Sequence, residues 1–199
     1  ILVIGQNPGT NHPRMLTALR DAKTNGAKII HINPLPETGL VRFKHPQDFM
    51  KLNFSSAKLA DYHLQVKIGG DAALLQGIGK LIIDKGKLAK DFIRSKTTGY
   101  SRYEQSLDNI DWDRIVNDSG ILKEDIEKIA DIIMNSDSLI SCWAMGLTQH
   151  RNGVSVNQEV VNIHLMGGHI GRLGAGLCPV RGHSKVQGNR TVGIWEARS

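Results

Sequence analysis

The residues best able to do chemistry lie near the end of the chain. There Trp143-Ala-Met-Gly-Leu-Thr-Gln-His150 is followed downstream by Val180-Arg-Gly-His-Ser-Lys-Val-Gln-Gly188. Glycines, amides, imidazoles and cations at this density suit a large polar ligand better than a packed core. Arg181 and Lys185 bring cations between these glycines, and His183 stands between them. In the first stretch Met145, Gly146, Thr148 and Gln149 combine a backbone that a ligand can approach closely with polar side chains. A second set opens the chain, in Gly5-Gln-Asn-Pro-Gly-Thr-Asn-His12. Gly5 and Gly9 admit an anion to the backbone, Asn7, Thr10 and His12 bring polar groups, and the amides of a following helix favour negative charge. The GxGxxG spacing is absent, which argues against a nicotinamide dinucleotide. In Asn33-Pro34-Leu35-Pro36-Glu37 two prolines stiffen a loop, and Glu37 either bonds a ribose or base edge or faces water. In Gly69-Gly70-Asp71 the carboxylate either caps the next helix or accepts from a guanine edge. His150, His164 and His169 have no compact ligand spacing and read as surface or core histidines, so no metal ligand is assigned.

Each set needs an element to position it. Residues 1–4 form a continuous apolar run of the kind buried on both faces of a parallel sheet, followed by a turn over 5–13. Helical spacing over 14–25 ends at Asn25-Gly26, and a second strand covers 27–32. A short helix is expected near Pro46, a strand over 62–68, and a long apolar helix from Asp71 to about Asp84. Further helices are expected over 88–97, 100–116, 123–135 and 154–167, with a fourth strand over 138–143. Strands alternating with helices give an α/β fold, a parallel sheet with helices on both faces. Ligands of such sheets sit beyond the carboxyl ends of the strands, where all four polar sets fall. Residues 1–176 read as the α/β domain and 177–199 as a glycine-rich trailing segment.

Composition narrows the class. Lys+Arg 25 against Asp+Glu 19 leaves a net charge of +6, yet no basic run is long and only 5% of residues are aromatic. Nucleic acid is therefore set aside in favour of a bound polyanionic cofactor. Cys142 and Cys178 form no CxxC pair and read as reduced core residues of a cytoplasmic protein. No apolar run reaches membrane-spanning length and no signal peptide is visible. An opening strand without a leader suggests that the sequence begins inside a longer protein.

Six stretches then occur in a family's order. They are Gly5-Gln-Asn-Pro, Gly26-Ala-Lys-Ile-Ile with Asn33-Pro34, Gly69-Gly-Asp-Ala-Ala-Leu-Leu, Trp143-Ala-Met-Gly-Leu-Thr-Gln, Gly168-His-Ile-Gly-Arg-Leu-Gly-Ala-Gly176 and Val180-Arg-Gly-His-Ser-Lys-Val-Gln-Gly188. Together they make the chain resemble the molybdopterin-guanine-dinucleotide oxidoreductases, in the branch of the formate dehydrogenase alpha subunit. The resemblance implies a domain holding one of two molybdopterin guanine dinucleotides, whose dithiolenes grip molybdenum or tungsten. By the same resemblance Gly5, Asn7, Gly9, Thr10 and His12 lie along the phosphates, while Asn33, Pro34, Gly69 and Asp71 hold the guanosine. Met145, Gly146, Thr148 and Gln149 come near the pterin or pyrophosphate. Arg181 lies beside the metal and steadies a substrate carboxylate. His183 stands where formate dehydrogenases usually carry Gln, and Asn33-Pro34-Leu35 replaces Asp-Pro-Arg. The metal-ligating Cys or selenocysteine with its catalytic His, the second dinucleotide domain and any 4Fe-4S cluster cysteines are expected elsewhere in the same polypeptide. The chain alone is then expected to be inactive, its partners being the rest of that polypeptide and a small-molecule substrate. Two other readings remain: a Rossmann-like nucleotide module without redox chemistry, and a docking domain whose glycine tail wraps a partner.

Overall fold

A computed structural model of the chain describes residues 1–42, 58–182 and 192–193. Among the described residues there are five short strands: β1 Leu2–Ile4, β2 Ile30–Ile32, β3 Tyr62–Leu64, β4 Ile140–Trp143 and β5 Gly176–Pro179. They form one sheet in the order β3-β2-β1-β4-β5, with every pairing parallel. The order reverses at β1, so the connections leave to opposite sides and a crevice opens beyond the ends of β1 and β4. The continuous apolar run at the start of the chain is the centre of this sheet, and Leu2, Val3 and Ile4 are all buried.

Alternation along the strands builds two cores. Leu2, Ile4, Ile30, Ile32, Leu64 and Trp143 point to one face. There they meet α4 Asp71–Asp84, α8 Lys123–Met134 and α10 Gly153–Met166 through Leu74, Ile78, Ile126, Ile129, Val160 and Ile163. Val3 points the other way, into a smaller core with Leu16 and Leu19 of α2 Pro13–Thr24, Leu40 of α3 Thr38–Val41, and Leu59. The sheet thus has helices on both faces, as the sequence pattern predicts. Burial of these side chains at about 25 cal/mol per Å² of apolar surface is the main force holding the layers together.

The helices expected over 14–25, 123–135 and 154–167 stand within a residue of that reading, as α2, α8 and α10. The helix expected over 100–116 is two: α6 Tyr100–Asp108 and α7 Trp112–Ser119, separated at Asn109–Asp111, where polar turn-forming residues interrupt the pattern. The turn expected over 5–13 contains the one-turn helix α1 Pro8–Asn11, and β3 stops at Leu64 rather than residue 68. The remaining helices are α5 Lys90–Lys96 and α9 Met145–Thr148. The short helix expected near Pro46 lies outside the described residues. The trailing segment expected from residue 177 begins inside β5, the fifth strand of the sheet. At this edge Gly176 donates its backbone N–H to Leu139 and Val180 to Trp143. The intervening Leu177 and Pro179 turn their nitrogens away from β4, and the proline nitrogen carries no hydrogen. Cys178 is exposed, a correction to its reading as a core residue; only Cys142 is buried, because the edge strand leaves its outer residues uncovered.

Candidate functional site

The site grows from the crevice at the switch in strand order. β1 ends in Gly5 at φ +54, a left-handed conformation that glycine adopts without strain. Gly5 donates to Ile32 at 2.9 Å and accepts from the Gly146 N–H at 3.1 Å. A Cβ on Gly146 would lie 2.5 Å from the Gly5 carbonyl oxygen, and one on Gly5 would lie 2.9 Å from the Gly146 carbonyl carbon. Two glycines back to back therefore let the loops after β1 and β4 touch. Neither could carry a side chain in this geometry.

From that contact the other loops are fastened in turn. The Asn7 side-chain oxygen accepts from the Thr10 N–H at 3.0 Å, capping α1. The Asn7 amide donates to one oxygen of Glu37, and the Asn33 amide donates to the other at 3.1 Å and to the Leu35 carbonyl at 2.9 Å. Glu37 is thus held between the loops after β1 and β2. Its two oxygens are engaged by protein, which bears on the choice between a ribose contact and water left open by the sequence. Gly9 lies against Gly39, where a Cβ would come within 3.2 Å of backbone. His12 Nε2 lies 2.9 Å from the Arg181 carbonyl, and the Gln6 amide lies 3.4 Å from His12 Nδ1. An imidazole accepting at Nδ1 donates at Nε2, so His12 ties the first loop to the segment after β5.

Asp71 begins α4, and its neighbour Gly70 occupies the capping position. The carboxyl is 5% exposed, and burial raises its pKa; a bond to its own N–H and the nearby His150 offset the rise only in part. His150, in the loop between α9 and α10, therefore brings the β4 loop towards the β3 loop. The Thr148 hydroxyl lies 3.5 Å from the Met145 sulfur, and Thr148, Gln149, Gly146 and Arg181 are exposed. Pro34 is half-buried beside Asn33. Gly69 is exposed, and a Cβ placed on it would meet no atom within 4 Å, so it stands apart from the linked loops. His183 lies outside the described residues.

A cavity of about 400 Å³ opens between the ends of β4 and β5, lined by Trp143, Met145, Thr148, Asn157, Val180 and Arg181 among others. Its walls are mostly apolar, and Thr148, Asn157 and Arg181 are the polar residues among those named. Asn157 was not singled out by sequence. Its amide donates to the Gly153 carbonyl at 2.8 Å, while its buried Oδ1 has no partner. The Gln6 Oε1 is likewise buried and unpartnered. An orphaned buried acceptor costs about 1–3 kcal/mol. Both residues sit inside apolar helical or turn text, and no spacing rule marks them. A flat heteroaromatic group fits these mostly apolar walls beside Thr148 and Arg181. His164 and His169 lie apart from the crevice: His164 is buried with Nε2 2.7 Å from the Ser141 hydroxyl, and His169 meets it edge-on.

Known proteins share this architecture. A profile of the molybdopterin oxidoreductases matches residues 1–192. The chain is 45% identical to an uncharacterized oxidoreductase of Mycobacterium tuberculosis over 98% of its own length and 26% of the relative's. It is 29% identical to formate dehydrogenase H of Escherichia coli over 97% of its length and 25% of that protein's. The chain therefore spans about a quarter of the curated relatives it matches. Its fold is similar to that of acetylene hydratase from Pelobacter acetylenicus, with a TM-score of 0.73 and 20% identity, covering 87% of this chain and 22% of that one.

Proposed function

Because the chain belongs to the molybdopterin oxidoreductase family, we propose that it is the domain that holds one molybdopterin guanine dinucleotide within a longer oxidoreductase. When bound, that group supplies two-electron chemistry at its metal. The residues of this chain bind and orient. The Gly5–His12 loop lies along the phosphates, and the β2 loop at Asn33 and Pro34 with Asp71 takes the guanosine. Met145, Thr148 and Gln149 border the pterin. Arg181 reaches past the cavity towards a small oxyanion substrate, formate being the simplest candidate, and a fixed fork there opposes charge as the substrate reacts. His183, two residues on in the sequence, is assigned to cofactor binding.

The observation that carries this reading is convergence: Gly5 on Gly146, Asn7 and Asn33 on Glu37, His12 on Arg181, and Asp71 near His150 join the segments after all five strands around one crevice. The test uses the full-length protein freed of its cofactor. GDP, a fragment of the dinucleotide, should raise its melting temperature, while NAD and FAD should not. Asp71→Ala should lower molybdopterin occupancy in the protein as isolated. Equal stabilisation by NAD would favour a nucleotide module without redox chemistry, and full occupancy in Asp71→Ala would leave that carboxyl only its place in the first turn of α4.

A further inference from the structure

Beneath the crevice, on the face opposite Trp143, lie two thiols the proposed function does not use. Cys142 of β4 and Cys178 of β5 are register partners in adjacent parallel strands. Partners across a parallel ladder point to the same face, with strands about 4.8 Å apart, inside the Cα separation of about 4.4–6.8 Å that a disulfide bridges. Both cysteines are free; Cys178 is exposed and Cys142 is buried. We propose that Cys142 and Cys178 form a redox-active dithiol, which a peroxide converts to a cross-strand disulfide. This inference stands on the strand register and does not depend on the cofactor reading.

The order of events follows from exposure. The Cys178 thiolate attacks the peroxide, breaking the O–O bond and giving a sulfenic acid with release of hydroxide. The Cys142 sulfur then attacks the sulfenic sulfur; the S–O bond breaks, and the thiol proton leaves with the oxygen as water. Two electrons pass from the pair of thiols to one peroxide. Burial, with the adjacent Cys178 sulfur, pushes the Cys142 thiol up to about 12, so it stays protonated and unreactive towards solvent oxidants until its neighbour is activated. The bond would join two arms of the crevice, since Cys142 precedes Trp143–Met145 and Cys178 precedes Pro179–Arg181.

The test is peptide mapping of the full-length protein after a stoichiometric dose of hydrogen peroxide. The expected product is a linked pair of peptides containing Cys142 and Cys178, separated again by dithiothreitol. Cys142→Ser should instead trap Cys178 as a sulfenic acid that dimedone labels, and Cys178→Ser should leave Cys142 unoxidised. The proposal is overturned if wild-type Cys178 proceeds to sulfinic acid with Cys142 still a thiol, or if neither sulfur reacts. The mapping of wild-type protein decides the matter even if a serine variant folds poorly.

Discussion

Arg181 concentrates what single residues contribute here. Its carbonyl is held by His12 and its side chain borders the cavity, so backbone position and guanidinium are separately determined. Arg181→Lys keeps the charge and the chain position but loses the planar fork. In the full-length enzyme turnover should fall by orders of magnitude while the metal content stays near that of the wild type; undiminished turnover would remove Arg181 from catalysis. Gly5, Gly146 and Arg181 were legible in part from type alone: the glycines as points of close approach, where their loops do meet, and Arg181 as poor core material, which is exposed. Asn157 and Gln6 were not. Their significance lies in an acceptor left without a donor after folding, and that is a property of the packed neighbourhood rather than of residue type.

Among the elements, α8 was readable because apolar residues recur on one face over several turns, and α4 because its apolar run is too long for a strand. β5 was hidden because Leu-Cys between a glycine and a proline is too short a run to announce a strand; its neighbour β4 makes it one. The split between α6 and α7 was hidden for the opposite reason, since the helical period resumes on both sides. A polar network ties α6, α10 and α4 together: Glu159 of α10 accepts from the Tyr103 hydroxyl of α6 at 2.6 Å and from Gln76 of α4 at 2.9 Å. Burial first, then the Glu159 charge, raise the Tyr103 hydroxyl far above its ordinary value, so it donates throughout the accessible range. Tyr103→Phe should therefore cost about 1–3 kcal/mol by leaving the carboxylate short of a donor, read as a lower urea midpoint with an unchanged slope.

At the scale of the whole molecule, buried imidazoles set the response to acid. His31 and His164 are 1% and 0% exposed, and burial, helped by His63 and His169 respectively, lowers each to about 4 from 6.5. Between those values the unfolded chain holds protons that the folded one refuses, so stability is retained above pH 6.5 and falls as pH drops towards 4. Each group should cost about 2 kcal/mol at pH 5, and urea titrations at pH 7 and pH 5 measure the sum. His164→Gln should flatten that dependence; an equally steep loss in the variant would assign the acid sensitivity to other groups. The lateral margin of the sheet bears on a different hazard. A strand at the rim is a template onto which another chain can zip, but beside β4 only Leu177 presents an outward amide, and Pro179 presents none. An incoming strand is thereby denied a donor at this margin, and replacing that one imino acid would restore it.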